Sequence, residues 1–239
     1  AMKYTKAKKK VLSIHGVYSE QVDALHSKTI STAAKITETK VLKWADKLTT
    51  DSKIVKKMYK EKLNVDFEFF YAPLDIKKFE KLKNVEKKEK QIIFIGRDSY
   101  EKGIDILKEI ESKIDAKIIY CTDMKWEDAM ENLKASRLLV IPSRMESIPQ
   151  VIKEAFYLKI PIIATNVGGI PELITDNKTG ILIPPNDPKS LENAINKLLV
   201  DNQTSKRLSD AGYEFVMENL TWEILLPKYV KFYENLQKS

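Results

Sequence analysis

Cysteine is nearly absent: Cys121 is alone, so no intrachain disulfide can form, and a reducing, cytoplasmic setting is the simple reading. One Cys and two His also exclude a four-ligand zinc cluster. No D-x-D occurs, so nothing suggests a carboxylate-held divalent metal. A Walker A loop, G-x-G-x-x-G and H-E-x-x-H are likewise missing. No apolar run approaches the ~20 residues of a membrane span. The first ten residues carry charge with no apolar core behind them, which excludes a signal peptide, and Ala1 ahead of Met2 reads as a tag remnant with Met2 the natural start. Arginine is scarce as well. Only Arg97, Arg137, Arg144 and Arg207 stand among 41 basic residues, so the net charge of +7 is mostly lysine spread among glutamate. That pattern reads as a solvated surface with attraction for phosphorylated substrates or an anionic membrane, and not as a nucleic-acid interface. Glycine, at seven in 239, is under half the usual ~7%, so each one can mark a backbone need.

What is present is an ordinary globular composition, 43% hydrophobic, at a length for one large or two small domains. Short β-branched runs at 11–15, 47–50, 67–71, 92–95, 116–121, 138–141, 161–164 and 180–183 read as strands. Helical patterns at 19–46, 53–63, 104–114, 127–135, 149–158, 188–199, 206–218 and 222–237 separate or follow them, with a short helix from Pro171. The strands are continuous apolar runs, the signature of a parallel sheet covered on both faces. The Lys-rich stretch 81–90 reads as a linker.

Ligands of open α/β sheets bind where strands end and helices begin. At the first such junction, Gly96 lets a ligand approach the backbone, and Arg97 and Lys102 can reach a diphosphate or can be ordinary surface cations. At the second, Ser147 can cap, Pro149 suits a first helical turn, and Glu146 and Glu154 are acceptors for sugar hydroxyls or plain helix-start acids. Gln150, Lys153, Glu154 and Tyr157 make a polar stripe that could face a cleft. At the third, Gly168 and Gly169 make a close-approach loop or simply a tight turn. His15 ends the first strand as a possible contact to a substrate hydroxyl. His26 reads as structural, Cys121 as core, and Trp44, Trp126 and Trp222 as core or packing residues.

Taken together, the segment Pro142-Ser-Arg-Met-Glu-Ser-Ile-Pro-Gln-Val-Ile-Lys-Glu-Ala155, followed by Ile162-Ile-Ala-Thr-Asn-Val-Gly-Gly-Ile-Pro-Glu172 and Gly180-Ile-Leu-Ile-Pro-Pro-Asn-Asp-Pro188, resembles the donor-binding half of GT-B fold glycosyltransferases of the GT4, or group 1, family. Its E-x7-E motif falls on Glu146 and Glu154. The resemblance implies a Rossmann-like parallel-sheet donor domain at 86–219, preceded by a partial second Rossmann-like lobe at 1–85. A helix at 220–239 would cross back to that lobe. It further implies retaining, metal-independent transfer from a nucleotide-diphosphate sugar, with no cofactor. Arg97 and Lys102 would meet the diphosphate, and Glu146 the sugar. Gly96, Ser147, Ile148, Pro149, Gly168 and Gly169 would line the donor, and Glu154 would hold the ribose. His15 would be the active-site histidine of the other lobe.

Three departures stand out. Lys159 occupies a position usually held by Gly. One strand, 116–121, stands where the family has two. The chain begins near the middle of the N-terminal domain, without the family's glycine-rich loop. An exposed inner strand near 11–15 then implies a homodimer or a separate N-terminal half as partner, besides a sugar or lipid acceptor and peripheral membrane contact. The competing expectation is a non-catalytic nucleotide-sugar-binding half-subunit or scaffold.

Overall fold

In the computed structural model, which describes residues 6–16 and 28–238, the strand–helix alternation builds two units: 1–72 with 225–239, and 73–224. In the first, β1 (Val11–Ile14), β2 (Lys47–Thr50) and β3 (Glu68–Phe69) form a parallel sheet in that order. Helix α1 (Lys28–Leu42) precedes β2, and α2 (Lys53–Leu63) lies between β2 and β3. Helix α2 starts where Ser52 Oγ accepts the Val55 N–H, and it stops at Asn64, whose φ of 49° is left-handed. Leu42, Val55, Tyr59 and Phe67 make this unit's core.

The second unit contains β4 (Lys88–Ile95), β5 (Lys117–Cys121), β6 (Ser136–Ile141), β7 (Ile162–Thr165) and β8 (Ile181–Ile183), all parallel, in the order β5-β4-β6-β7-β8. Between and after them run α3 (Ile104–Ile110), α4 (Trp126–Ala135), α5 (Gln150–Tyr157), α6 (Ile170–Leu173), α7 (Pro188–Val200) and α8 (Asn202–Asn219). Helix α9 (Trp222–Lys238) continues into the first unit from Leu225. Ile92, Phe94, Leu138, Val140 and Ile163 pack with Leu107 of α3 and Ile195 of α7. The alternate residues Ile93, Leu139 and Ile162 face the other way and are equally inaccessible. A sheet buried on both faces needs such unbroken apolar runs, each large side chain contributing about 1.5–3 kcal/mol. Pro188 and the Asp187 cap, which accepts the Ser190 N–H at 2.9 Å, open α7.

Strand order reverses between β4 and β6: the chain steps from β4 outward to β5, then returns across to β6. The carboxyl ends of β4 and β6 therefore form the switch point where the fold leaves a crevice. Both junctions singled out in the sequence, after Ile95 and after Ile141, lie there.

Several expectations shift. The unit boundary falls at 72/73 and not at 85/86, because Phe79 packs 5.1 Å from Trp126 and 4.7 Å from Tyr157, while the Leu74 N–H donates to Leu220 O at 2.7 Å. The second boundary is 224/225 in place of 219/220. The Lys-rich linker is partly strand, since β4 begins at Lys88. The long helix is α1; residues 19–27 of that expectation, with His26, lie outside the described residues. Helix 104–114 ends at Ile110 and tightens into a 3-10 turn at Glu111–Lys113. Strand 67–71 shortens to Glu68–Phe69. Trp44 and Trp222 are about two-fifths exposed and so are not core residues. Lys159 does hold a left-handed φ, 55°, where a Cβ costs about 1–2 kcal/mol. Its Nζ lies 3.1 Å from Asp210 Oδ1.

Candidate functional site

Three loops at the carboxyl ends of β4, β6 and β7 close on one another through their backbones. Gly103, φ 65°, sits so near the second loop that a Cβ there would lie 2.1 Å from Pro142 O. Gly168, φ 52°, would put a Cβ 1.8 Å from Glu146 O, and Gly169 one 2.0 Å from Ser147 O. Glycine is obligatory at this contact because only hydrogen fits. Thr165 Oγ1, at the end of β7, donates to Ser143 O at 2.5 Å.

Arg144 ties the assembly together. Its guanidinium makes two 2.7 Å bonds to the Asp105 carboxylate, donates to Tyr100 O at 2.8 Å and Asn186 Oδ1 at 2.6 Å, and lies 4.1 Å from the Tyr100 ring centroid. The fork geometry of arginine suits that bidentate contact. The guanidinium holds the Asp105 carboxyl below the ordinary aspartate range. The Arg144 N–H also donates to Glu101 O at 2.8 Å. Sequence reading passed over this arginine. Its signal was its scarcity and its place two residues before Glu146.

Within this frame Lys102 Nζ lies 2.7 Å from Glu146 Oε1, and Ser143 Oγ donates to the same oxygen at 2.9 Å. The Glu146 side chain is only 9% exposed and that of Lys102 23%, so the pair is desolvated enough to be sensitive to loss of either partner. Gly96 lies beside Lys102: a Cβ there would meet its Cδ at 3.7 Å. Arg97 turns elsewhere, to Glu101 at 2.9 Å, and is three-quarters exposed. Ser147 does not cap α5. Its Oγ is buried without a hydrogen-bond partner, as is that of Ser99, and the cap position falls to Pro149. Ile148 is buried beside it.

Glu154, one turn into α5, accepts the Trp126 Nε1–H at 2.7 Å. Burial pushes its carboxyl above the ordinary glutamate range, against the opposing pull of that hydrogen bond and of Lys153 and Lys78. Trp126 is therefore a partner to this site, missed because nothing in the spacing of 126 and 154 reveals a contact. The polar stripe breaks at Lys153, which is fully buried with Ile152 and Phe156 and not at a cleft. In the first unit, separately, His15 follows β1 with Nδ1 3.1 Å from Asp51 Oδ2.

Residues 110–215 match the family model described as glycosyl transferases group 1. An uncharacterised glycosyltransferase of Methanocaldococcus jannaschii is 29% identical in an alignment of 168 positions that covers 60% of this chain and 48% of that protein. The chain thus spans about half the length of this curated relative. Among solved structures, sucrose-phosphate synthase from Thermosynechococcus elongatus superposes with a TM-score of 0.78 at 19% identity, covering 95% of this chain and 68% of that one. Anabaena HepE in complex with UDP-glucose superposes at 0.72 and 15% identity, covering 94% and 72%. These structural likenesses establish the GT-B fold class.

Proposed function

We propose, from the match of residues 110–215 to the group 1 glycosyl transferases, that the chain binds a nucleotide-diphosphate sugar in the second unit and takes part in its retaining, metal-independent transfer to a sugar or lipid acceptor. The observation that carries this reading is the Lys102–Glu146 pair at the switch point, 2.7 Å apart and framed by the Gly96, Gly168 and Gly169 backbones. An ammonium has three donors and Glu146 takes one, so Lys102 keeps two for a diphosphate. The orphaned hydroxyls of Ser99 and Ser147 suit a ligand that brings hydrogen-bonding atoms of its own. The bound UDP-glucose of HepE makes uridine diphosphate the first probe.

In this reading the hard event is departure of the diphosphate as an oxocarbenium-like sugar forms. Lys102 and the amides opening α5 stabilise the leaving charge, joined by Arg97 once it leaves Glu101. Glu146, held by Lys102 and Ser143, orients the sugar. Glu154 receives the ribose hydroxyls. The acceptor attacks on the leaving-group face, so no enzyme nucleophile is required. β1 has one neighbour, β2, among the described residues, and its other edge is the place for a second copy or a further polypeptide.

Titration calorimetry with UDP tests the assignment. Lys102→Ala weakens binding by about 1.5–3 kcal/mol, the range for a charge-assisted hydrogen bond. Unchanged affinity in that variant removes the diphosphate from this position.

A further inference from the structure

One of the two oxygens of Glu154 is already taken. Trp126 opens α4 after β5, and Glu154 lies one turn into α5 after β6, so both stand near the carboxyl ends of the sheet. The indole Nε1–H donates to Glu154 Oε1 at 2.7 Å, and Oε2 makes no hydrogen bond among the described residues. The indole is itself held in place. The ring centroids of Trp126 and Phe79 are 5.1 Å apart at 79°, an edge-on contact. Phe79 in turn lies 4.7 Å from the ring of Tyr157, on the same helix as Glu154. Such contacts between aromatic rings fix orientation as well as burying area.

We propose that Trp126 is a positioning residue that makes the site select ribose: it fixes the Glu154 carboxylate by one oxygen and presents the other, Oε2, to the sugar hydroxyls of the nucleotide. The proposal rests on the nucleotide-sugar reading, in which Glu154 receives those hydroxyls. An indole suits this role. It has one donor and no acceptor, so it occupies a single carboxylate oxygen and cannot itself accept from a hydroxyl. A guanidinium would take both oxygens through its fork, and an ammonium would offset the charge that makes the carboxylate a strong acceptor. The indole leaves that charge in place. It also opposes burial, which pushes the Glu154 carboxyl above the ordinary glutamate range. A carboxylate free to turn could follow whichever hydroxyl a deoxy sugar retains. One held at Oε1 cannot, and a missing hydroxyl then leaves Oε2 without its partner in a half-buried place.

The chain has three tryptophans, so proton–nitrogen spectra show three indole N–H resonances, and Trp126→Phe assigns the one in question. In wild type that resonance should be protected from solvent exchange, should move in Glu154→Gln, and should stay protected when UDP binds. Titration calorimetry then compares UDP with 2′-deoxy-UDP and 3′-deoxy-UDP. Wild type should bind at least one deoxy analogue roughly 10- to 100-fold more weakly than UDP. In Trp126→Phe, which keeps a ring against Phe79, that gap should close to about threefold or less. In Glu154→Ala the gap should already be gone, and adding Trp126→Phe should change the ratio no further. A purely structural role would weaken all three ligands alike and leave the ratio standing. The exchange measurement on wild type covers the case of a Trp126→Phe chain that fails to fold. An unprotected Trp126 N–H, its release on UDP binding, or an unchanged ratio in Trp126→Phe overturns the proposal. The two ideas separate: wild type that binds no UDP removes the nucleotide-sugar reading and the proposal with it, whereas UDP bound with an unchanged ratio removes only the role of Trp126.

Discussion

Glu154→Gln should make the protein more stable at neutral pH and worse at binding nucleotide. The wild-type carboxyl is half-buried, and burial raises its pKa above the reference 4.5 despite the Trp126 hydrogen bond. A carboxyl with a raised folded pKa binds its proton more tightly when folded than when unfolded. Its contribution therefore favours folding below pH 4.5 and is lost as pH rises from there through the raised value. Each pH unit of separation between the two states is worth about 1.4 kcal/mol at neutral pH. Gln keeps an Oε1 acceptor for the Trp126 Nε1–H at 2.7 Å and is nearly isosteric, so it removes the charge cost without opening a cavity. Denaturant unfolding of both proteins between pH 4 and pH 8 should give curves that coincide at the acid end, with the variant rising above wild type toward pH 8. Calorimetry should show UDP bound about tenfold or more weakly, since ribose hydroxyls donate better to a carboxylate than to an amide. A variant less stable than wild type at pH 8 would show that the charge is compensated by Lys153 and Lys78 and that burial does not dominate. Unchanged UDP affinity would remove Glu154 from the ribose.

Gly168→Ala places a methyl 1.8 Å from Glu146 O at a φ of 52°, and should cost about 1–3 kcal/mol with a lower Tm and weakened UDP binding; a variant with wild-type Tm would mean that the second and third loops are not in contact. Arg144→Lys keeps the charge but loses the fork on Asp105 and the bonds to Tyr100 O and Asn186, so denaturant unfolding should show a loss of about 1–3 kcal/mol, where an isoenergetic variant would refute the clamp. Burial pushes the Cys121 thiol from 9.0 up to about 11, so native protein at pH 8 should resist a disulfide reagent that the denatured chain consumes at once, and stability should fall as pH climbs from 9 toward 11, where the unfolded thiol ionises first.

The architecture was legible where local chemistry repeats. Ile92–Ile95 and Leu138–Ile141 are apolar without alternation because both faces of β4 and β6 are covered, and that requirement is written residue by residue. Asp187-Pro188 marks the start of α7 because the cap and the fixed φ act within one turn. The E-x7-E spacing and the paired glycines identified the loops that meet at the switch point, since glycine there answers a contact that no side chain fits.

Partners distant in sequence were decided only by the tertiary structure. Trp126 and Glu154 meet because α4 and α5 pack against each other, and nothing in either helix names the other. Arg144 stood in the sequence only as one of four scarce arginines; folding brings Tyr100 and Asp105 to it from the junction after β4 and Asn186 from the loop before α7. Lys153 looked like one of a polar stripe, and its burial depends on what packs around α5. His15 and Asp51 lie 36 residues apart and are joined only because β1 and β2 pair in parallel with Ile14 opposite Thr50, which brings the residues after both strands side by side. Periodicity and turn chemistry act over a few residues and so can be read along a chain. Pairing across loops depends on register and packing, and the physical causes of those lie in the whole fold.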